Sequence, residues 1–231
     1  MGDWIKLKAD DRHILRAYVA TPERKPVGGL VVVQEIFGVN KSIRRVADEY
    51  AQAGFLTIAP ALFDRIKPNV ELGYSDADVE TAFKGYLPML DHKTSLKDIA
   101  AACNYAQRTV PKVGVLGFCY GGLMSWLAAT RSDDAGMEPE CCVGYYPGGI
   151  GKVAAERVEC RVMLHFGSDD AHIGADQVAA VRAAHSETDV VIHTYKGAVH
   201  AFANPDRPSY DPEAATLARQ RSLAFFKTNL S

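Results

Sequence analysis

The chain has 231 residues, 26 Lys or Arg against 28 Asp or Glu, and a formal net charge of −2. A balance this near neutrality offers no purchase on a nucleic-acid backbone or an anionic membrane, so neither is expected as a partner. No apolar run reaches membrane-spanning length, and Met1 to Lys8 lacks the apolar core of a secretory signal, so a cytoplasmic protein is expected, monomeric or a small homo-oligomer.

In chain order, Ile5–Ala9 and His13–Val19 alternate like an antiparallel pair around Asp10-Asp11-Arg12. Gly29–Val33 is a continuous apolar run, the pattern of a strand covered on both faces. Lys41–Ala53 reads as a helix closed by Gly54, and Phe55–Pro60 as the next strand. A polar stretch from Phe63 to Ser75 follows, then a helical pattern from Ala77 to Gln107 broken near Pro88. Strands are expected at Val113–Phe118, Cys141–Tyr146, Arg161–Phe166 and Val190–Tyr195, with helices after Cys119 and over Ala175–His185 and Pro212–Leu230, the last capped by Asp211. Strands alternating with helices predict one α/β domain over 1–231, a mostly parallel central sheet with helices on both faces and its site at the strands' C-terminal ends.

The most informative stretch is Val113-Gly114-Val115-Leu116-Gly117-Phe118-Cys119-Tyr120-Gly121-Gly122. A β-branched run, Gly-x-Cys-x-Gly and an immediate helical pattern predict a nucleophile elbow with Cys119 at its tip. The glycines avoid collisions where strand and helix meet, and the helix N-terminus favours thiolate. A thiol nucleophile needs a base and the base needs an orienting acid, in the chain order nucleophile, acid, histidine. Gly167-Ser168-Asp169-Asp170 follows a strand; Asp170 is favoured as the acid, with Asp169 one residue away as the alternative. His200, in the loop Gly197–Phe202 after the last strand, stands where the base belongs. His172 falls on the pocket rim, His185 and His193 read as structural, and His13, His92 and His165 carry no site pattern.

An oxyanion needs preorganised donors. The N–H of Tyr120, after the nucleophile, is one; the N–H of Ile36, after the first central strand, is the other. Glu35 is unusual at the end of an apolar strand. Either it pairs with Arg44 or Arg45, or it is a buried carboxylate that competes for the thiol proton. Cys103, Cys141, Cys142 and Cys160 lie in or beside apolar segments, an irregular set that suits a reducing compartment and core packing. No ligand cluster has metal-site spacing, so neither a metal nor another cofactor is expected.

Gln34-Glu35-Ile36-Phe37-Gly38-Val39-Asn40, the elbow, Gly144-Tyr145-Tyr146, Asp170 and Gly197–Phe202 occur in one order that resembles the dienelactone hydrolase family of the α/β-hydrolase fold. The resemblance implies hydrolysis of a small-molecule ester or lactone by a Cys119-His200-Asp170 triad and an acyl-enzyme. It places Glu35 against the resting thiol and Tyr145 in the pocket. It also implies a carboxylate-clamping arginine four residues after the histidine, where this chain has Asn204. Neutral or weakly anionic substrates are therefore expected, with Arg207, Arg65 and Lys84 the nearest possible substitutes. Two other classes remain: a protease-like or amidotransferase-like thiol enzyme, which would want an acid where Phe202 stands, and a non-catalytic small-molecule binding protein.

Overall fold

A computed structural model describes residues 2–231. Eight strands form one sheet: β1 (Asp3–Lys8), β2 (Ile14–Ala20), β3 (Gly29–Val33), β4 (Leu56–Pro60), β5 (Val113–Phe118), β6 (Cys141–Tyr145), β7 (Arg161–Gly167) and β8 (Val190–Tyr195). Their order is β1-β2-β4-β3-β5-β6-β7-β8; β1, β2 and β4 pair antiparallel, and every pairing from β4 to β8 is parallel. The apolar runs explain this. Every residue of β3, β4, β5 and β6 is buried, as in a sheet covered on both faces, whereas the outlying antiparallel strands β1 and β2 are buried only in part.

The helices are α1 (Lys41–Gln52), α2 (Asp76–Thr81), α3 (His92–Ala106), α4 (Tyr120–Thr130), the short α5 (Ser132–Ala135), α6 (Ala175–Ala184) and α7 (Pro212–Leu230). Their ends follow local chemistry. Asn40, Asp91 and Asp211 accept hydrogen bonds from the first free N–H groups of α1, α3 and α7. Between α2 and α3 the break expected near Pro88 is a π turn (Ala82–Tyr86) followed by a 3-10 turn (Leu87–Met89). Pro88 removes a backbone donor, and the widened turn hands the chain on to a new helix.

Register assigns the layers. Gly29 and Val113 lie side by side, and a Cβ on Gly29 would meet Ala106 and Val110 at the end of α3. Leu30 and Gly114 point the other way, and a Cβ on Gly114 would meet Phe226 of α7. On that second face Phe226 packs edge to face on Tyr50 of α1 and on Phe55, each such pair contributing about 0.5–1.5 kcal/mol beyond its buried area.

The elbow glycines are forced by backbone contact. A Cβ on Gly117 would lie 1.8 Å from the Gly121 carbonyl oxygen, one on Gly121 2.4 Å from that of Val33, and one on Gly122 2.4 Å from that of Tyr145. Backbone cannot swing aside as a side-chain tip can, so Gly117→Ala should cost about 3 kcal/mol or more. Urea unfolding measures it; a midpoint matching the parent would contradict this packing.

Candidate active site

Cys119 sits between β5 and α4 with φ +54° and ψ −114°, a conformation most side chains avoid. Strain of this kind costs on the order of 1–3 kcal/mol and persists where neighbours over-determine it. Here the Cys119 N–H donates to the Tyr145 carbonyl (3.0 Å) and the Cys119 carbonyl accepts from Leu123 N–H (3.1 Å). The side chain is left half-buried at the C-terminal edge of the sheet.

His200 lies in the loop between β8 and α7. Its Nε2 is 3.2 Å from Cys119 Sγ and its Nδ1 is 2.8 Å from Asp170 Oδ2. The other Asp170 oxygen accepts the N–H groups of His172 (2.8 Å) and Ile173 (3.2 Å), which fixes the carboxylate's orientation. Asp169 instead accepts the Ser168 hydroxyl and is exposed. Of the two candidate acids, Asp170 is the one that meets the histidine. Burial raises the Asp170 carboxyl, but the His200 ring and two backbone donors together hold it below its ordinary value. Burial likewise works against the His200 cation, and the hydrogen bonds to Asp170 and Cys119 overcome it, pushing the imidazole up to about 10. The ring of His172 stands 5.0 Å from that of His200, at the cavity rim.

A cavity of about 250 Å³ opens in front of Cys119. Ile36, Phe37, Tyr120 and, from the α2 to α3 segment, Val79, Phe83 and Leu87 make it apolar; Gly148 and Gly149 leave room on the opposite side. The backbone N–H groups of Ile36 and Tyr120 have no acceptor among the described residues. Tyr120 opens α4, so its N–H has no intrahelical partner, and its hydroxyl is tied to Ser95 (2.9 Å).

Glu35 lines this cavity but pairs with neither arginine named for it. Arg44 binds Glu71 and Arg45 binds Asp206. Its Oε2 accepts from the Asn204 amide (2.9 Å), whereas the cysteine sulfur faces His200. Burial raises the Glu35 carboxyl above its ordinary value; Arg207 and the Asn204 hydrogen bond oppose that only in part. Asn204 also donates to Tyr74 (2.9 Å) and accepts from the Ser42 hydroxyl (3.1 Å) and the Asp206 N–H (3.0 Å). Tyr145 turns away from Cys119. In register with Phe118, it faces α7, and its hydroxyl meets Ser222 (2.7 Å). Strand alternation decides this, and it is the Tyr145 carbonyl that touches the site.

One residue given no role from sequence stands at the site, and one of the three possible substitute clamps, Arg207, reaches it. Tyr146 follows β6 with φ +36°, and its ring lies 5.0 Å from that of His200. The uncommon backbone conformation carries no sequence signal. Arg207 lines the Cys119 cavity with its guanidinium over the rings of Phe37 (5.4 Å) and Tyr74 (5.5 Å), and no ion pair engages it among the described residues. Arg65 and Lys84 are committed elsewhere, to Asp98 with Asp11 and to Glu80.

A cysteine elbow, then an acid after one strand and a histidine after the next, on this sheet order, is the α/β-hydrolase fold. The chain belongs to the dienelactone hydrolase family, whose model matches residues 15–230, and is a hydrolase. Carboxymethylenebutenolidase from Pseudomonas putida is 29% identical over 232 residues, covering 97% of this chain and 96% of that one. A presumed carboxymethylenebutenolidase from Azospirillum brasilense is 32% identical over 234 residues and 98% of each chain. The crystal structure of a presumed dienelactone hydrolase from Klebsiella pneumoniae superposes with a TM-score of 0.80 at 27% identity, over 98% of both chains. No helix among the described residues is long and apolar enough to cross a membrane.

Proposed function

We propose that this chain, as one domain over 1–231, hydrolyses small carboxylic esters and lactones through a thioester acyl-enzyme, without a cofactor. The observation that carries the reading is the line Cys119 Sγ, His200, Asp170, with contacts of 3.2 and 2.8 Å. His200 takes the thiol proton and Asp170 holds the resulting imidazolium. The thiolate attacks the carbonyl, and the N–H groups of Ile36 and Tyr120 receive the oxyanion. Imidazolium then protonates the departing alkoxide. Water, deprotonated by His200, attacks the thioester, and the acid leaves as Cys119 is restored. The names of the Pseudomonas and Azospirillum relatives support an unsaturated lactone as one substrate. A panel of lactones, aryl esters and carboxylate-bearing enol esters tests the reading; no turnover of any of them contradicts it.

Arg207 changes the substrate expected from sequence. Asn204 cannot clamp a carboxylate while its amide holds Glu35 and Tyr74. Arg207, three residues on, supplies an unpaired cation in the same cavity, already oriented by two aromatic faces. A charged hydrogen bond contributes about 1.5–3 kcal/mol, so Arg207→Ala should lower kcat/KM for a carboxylate-bearing ester roughly 10- to 100-fold. The corresponding methyl ester should change little. Equal losses on both substrates would assign Arg207 to structure.

Against burial, the hydrogen bonds to Asp170 and Cys119 push the His200 imidazole up to about 10. Because the folded-state value lies above the free-histidine value of 6.5, the stability these hydrogen bonds contribute is complete below pH 6.5 and is lost as pH rises through about 10. Titration of His200 by NMR should follow that course, and Asp170→Asn should move the midpoint down. An Asp170→Asn midpoint at or above the parent's would overturn the assignment.

A further inference from the structure

A second cavity, of about 150 Å³, runs between α1 and α7 on the opposite side of Glu35 from the thiol. Tyr210, Thr216 and Arg219 stand at its mouth, and Tyr50, Tyr146 and Glu35 at its inner end. Glu35 is the one carboxylate that lines both cavities. The hydroxyl of Tyr146 is buried with no hydrogen-bond partner among the described residues, and that of Tyr50, beside Ser222 and Tyr145, forms no hydrogen bond of good geometry with them. Such hydroxyls on the wall of one cavity are costly unless water bonds them. Room for one water is about 10–15 Å³, so this space holds several, and its polar wall offers them partners. The hydrogen bond from Asn204 reaches Oε2 of Glu35, leaving Oε1 without a partner among the described residues. At the mouth Arg45 pairs with Asp206 and Arg219 with Glu49, so the charges there satisfy one another.

We infer that this cleft is a water-filled passage that carries protons between Glu35 and bulk solvent. The inference rests on the hydrolytic reading for its purpose: each ester cleaved yields an acid that ionises near neutrality, and its proton must leave while substrate occupies the front cavity. In each turnover the Glu35 carboxylate takes the proton from the product acid in the front cavity that it lines and hands it to the water behind; the chain relays it, one proton emerges beside Arg219, and Glu35 is left as it began. Cys119 and His200 face Glu35 from the front, Arg207 and Asp206 from the loop before α7, Tyr74 from the loop before α2, and Tyr146 from the end of β6.

A high-resolution crystal structure of the wild-type protein should contain ordered waters bonded to the Tyr50 and Tyr146 hydroxyls. A dry cleft, or an organic molecule held there in their place, overturns the passage. Tyr146→Phe, read by Tm alone, tests it without crystals. In a hydrated cleft the change removes a hydrogen bond and lowers Tm; in a dry one it relieves a bare hydroxyl, and an unchanged or raised Tm overturns the inference. Ala215→Trp, at the wall of α7 and outside the catalytic groups, should plug the passage. With the plug seen crystallographically, turnover should fall several-fold and the solvent isotope effect rise, while the acylation burst and KM stay as in the parent. Unchanged turnover in the plugged protein overturns the proton role. If the wild type cleaves no ester, the hydrolytic reading fails, and the waters and the Tm change still report on the cleft by themselves.

Discussion

Cys119→Ala is expected to remove turnover by on the order of 10⁴- to 10⁶-fold, by analogy with loss of the nucleophile in serine triads. The variant should unfold at nearly the same temperature as its parent. The sulfur is half-buried at the end of β5 and its hydrogen bond is to a single ring, so its removal leaves only a small void. No other thiol can take over. Cys103, Cys141 and Cys142 are buried, and burial pushes each thiol up, away from the reactive thiolate. Cys160 precedes β7, at the opposite end of the parallel strands from the elbow. Steady-state hydrolysis of an activated aryl ester, corrected for the uncatalysed rate, measures the loss. Activity within about tenfold of the parent is incompatible with a triad in which the nucleophile dominates.

His200→Ala and Asp170→Asn should both lower kcat with KM nearly unchanged, His200→Ala by roughly 10³-fold or more and Asp170→Asn by roughly 10²- to 10⁴-fold. The asparagine can present its amide N–H₂ to Nδ1, which selects the tautomer with the proton on Nε2 and leaves no base facing the thiol. It also withdraws the negative charge that holds the imidazolium. Asp169→Asn is the internal control. That carboxylate is exposed and bonded to the neighbouring Ser168 hydroxyl, so its loss should change kcat less than about threefold, within the range of ordinary surface substitutions. A larger effect at Asp169 than at Asp170 would transfer the acid role by one residue.

The elements that were legible in the sequence are those a single local rule decides. The apolar runs of β3, β5 and β6 could only be strands covered on both faces, and Gly117, Gly121 and Gly122 marked a turn whose backbones touch. Between Asp169 and Asp170 the sequence favoured the second but left the first open. The outcome depends on the Asp169 N–H bonding to the Ala198 carbonyl (3.0 Å), a contact between two loops that turns the Asp169 side chain outward and the next one inward. Tyr145 and Tyr146 separate for a similar reason: strand register sends the first toward α7, and the strained turn after β6 brings the second against His200. Arg207 was legible only as one of three possible substitutes, because clamp position was read along the chain. In space the loop folds back, with Asp211 N–H on the Phe202 carbonyl (2.9 Å), and carries Arg207 over Phe37 and Tyr74. The irregular turns around Pro88 were legible only as an interruption, although they supply Phe83 and Leu87 to the cavity wall.

The most direct test of the account is to trap the acyl-enzyme. The protein is mixed with an ester whose thioester turns over slowly, quenched in acid during the burst, and digested for mass spectrometry. One acyl group per chain is expected, on the peptide that contains Cys119, absent in Cys119→Ala and lost when the quench is delayed past turnover. An adduct on another residue, or a burst of released alcohol with no acylated peptide, would contradict it.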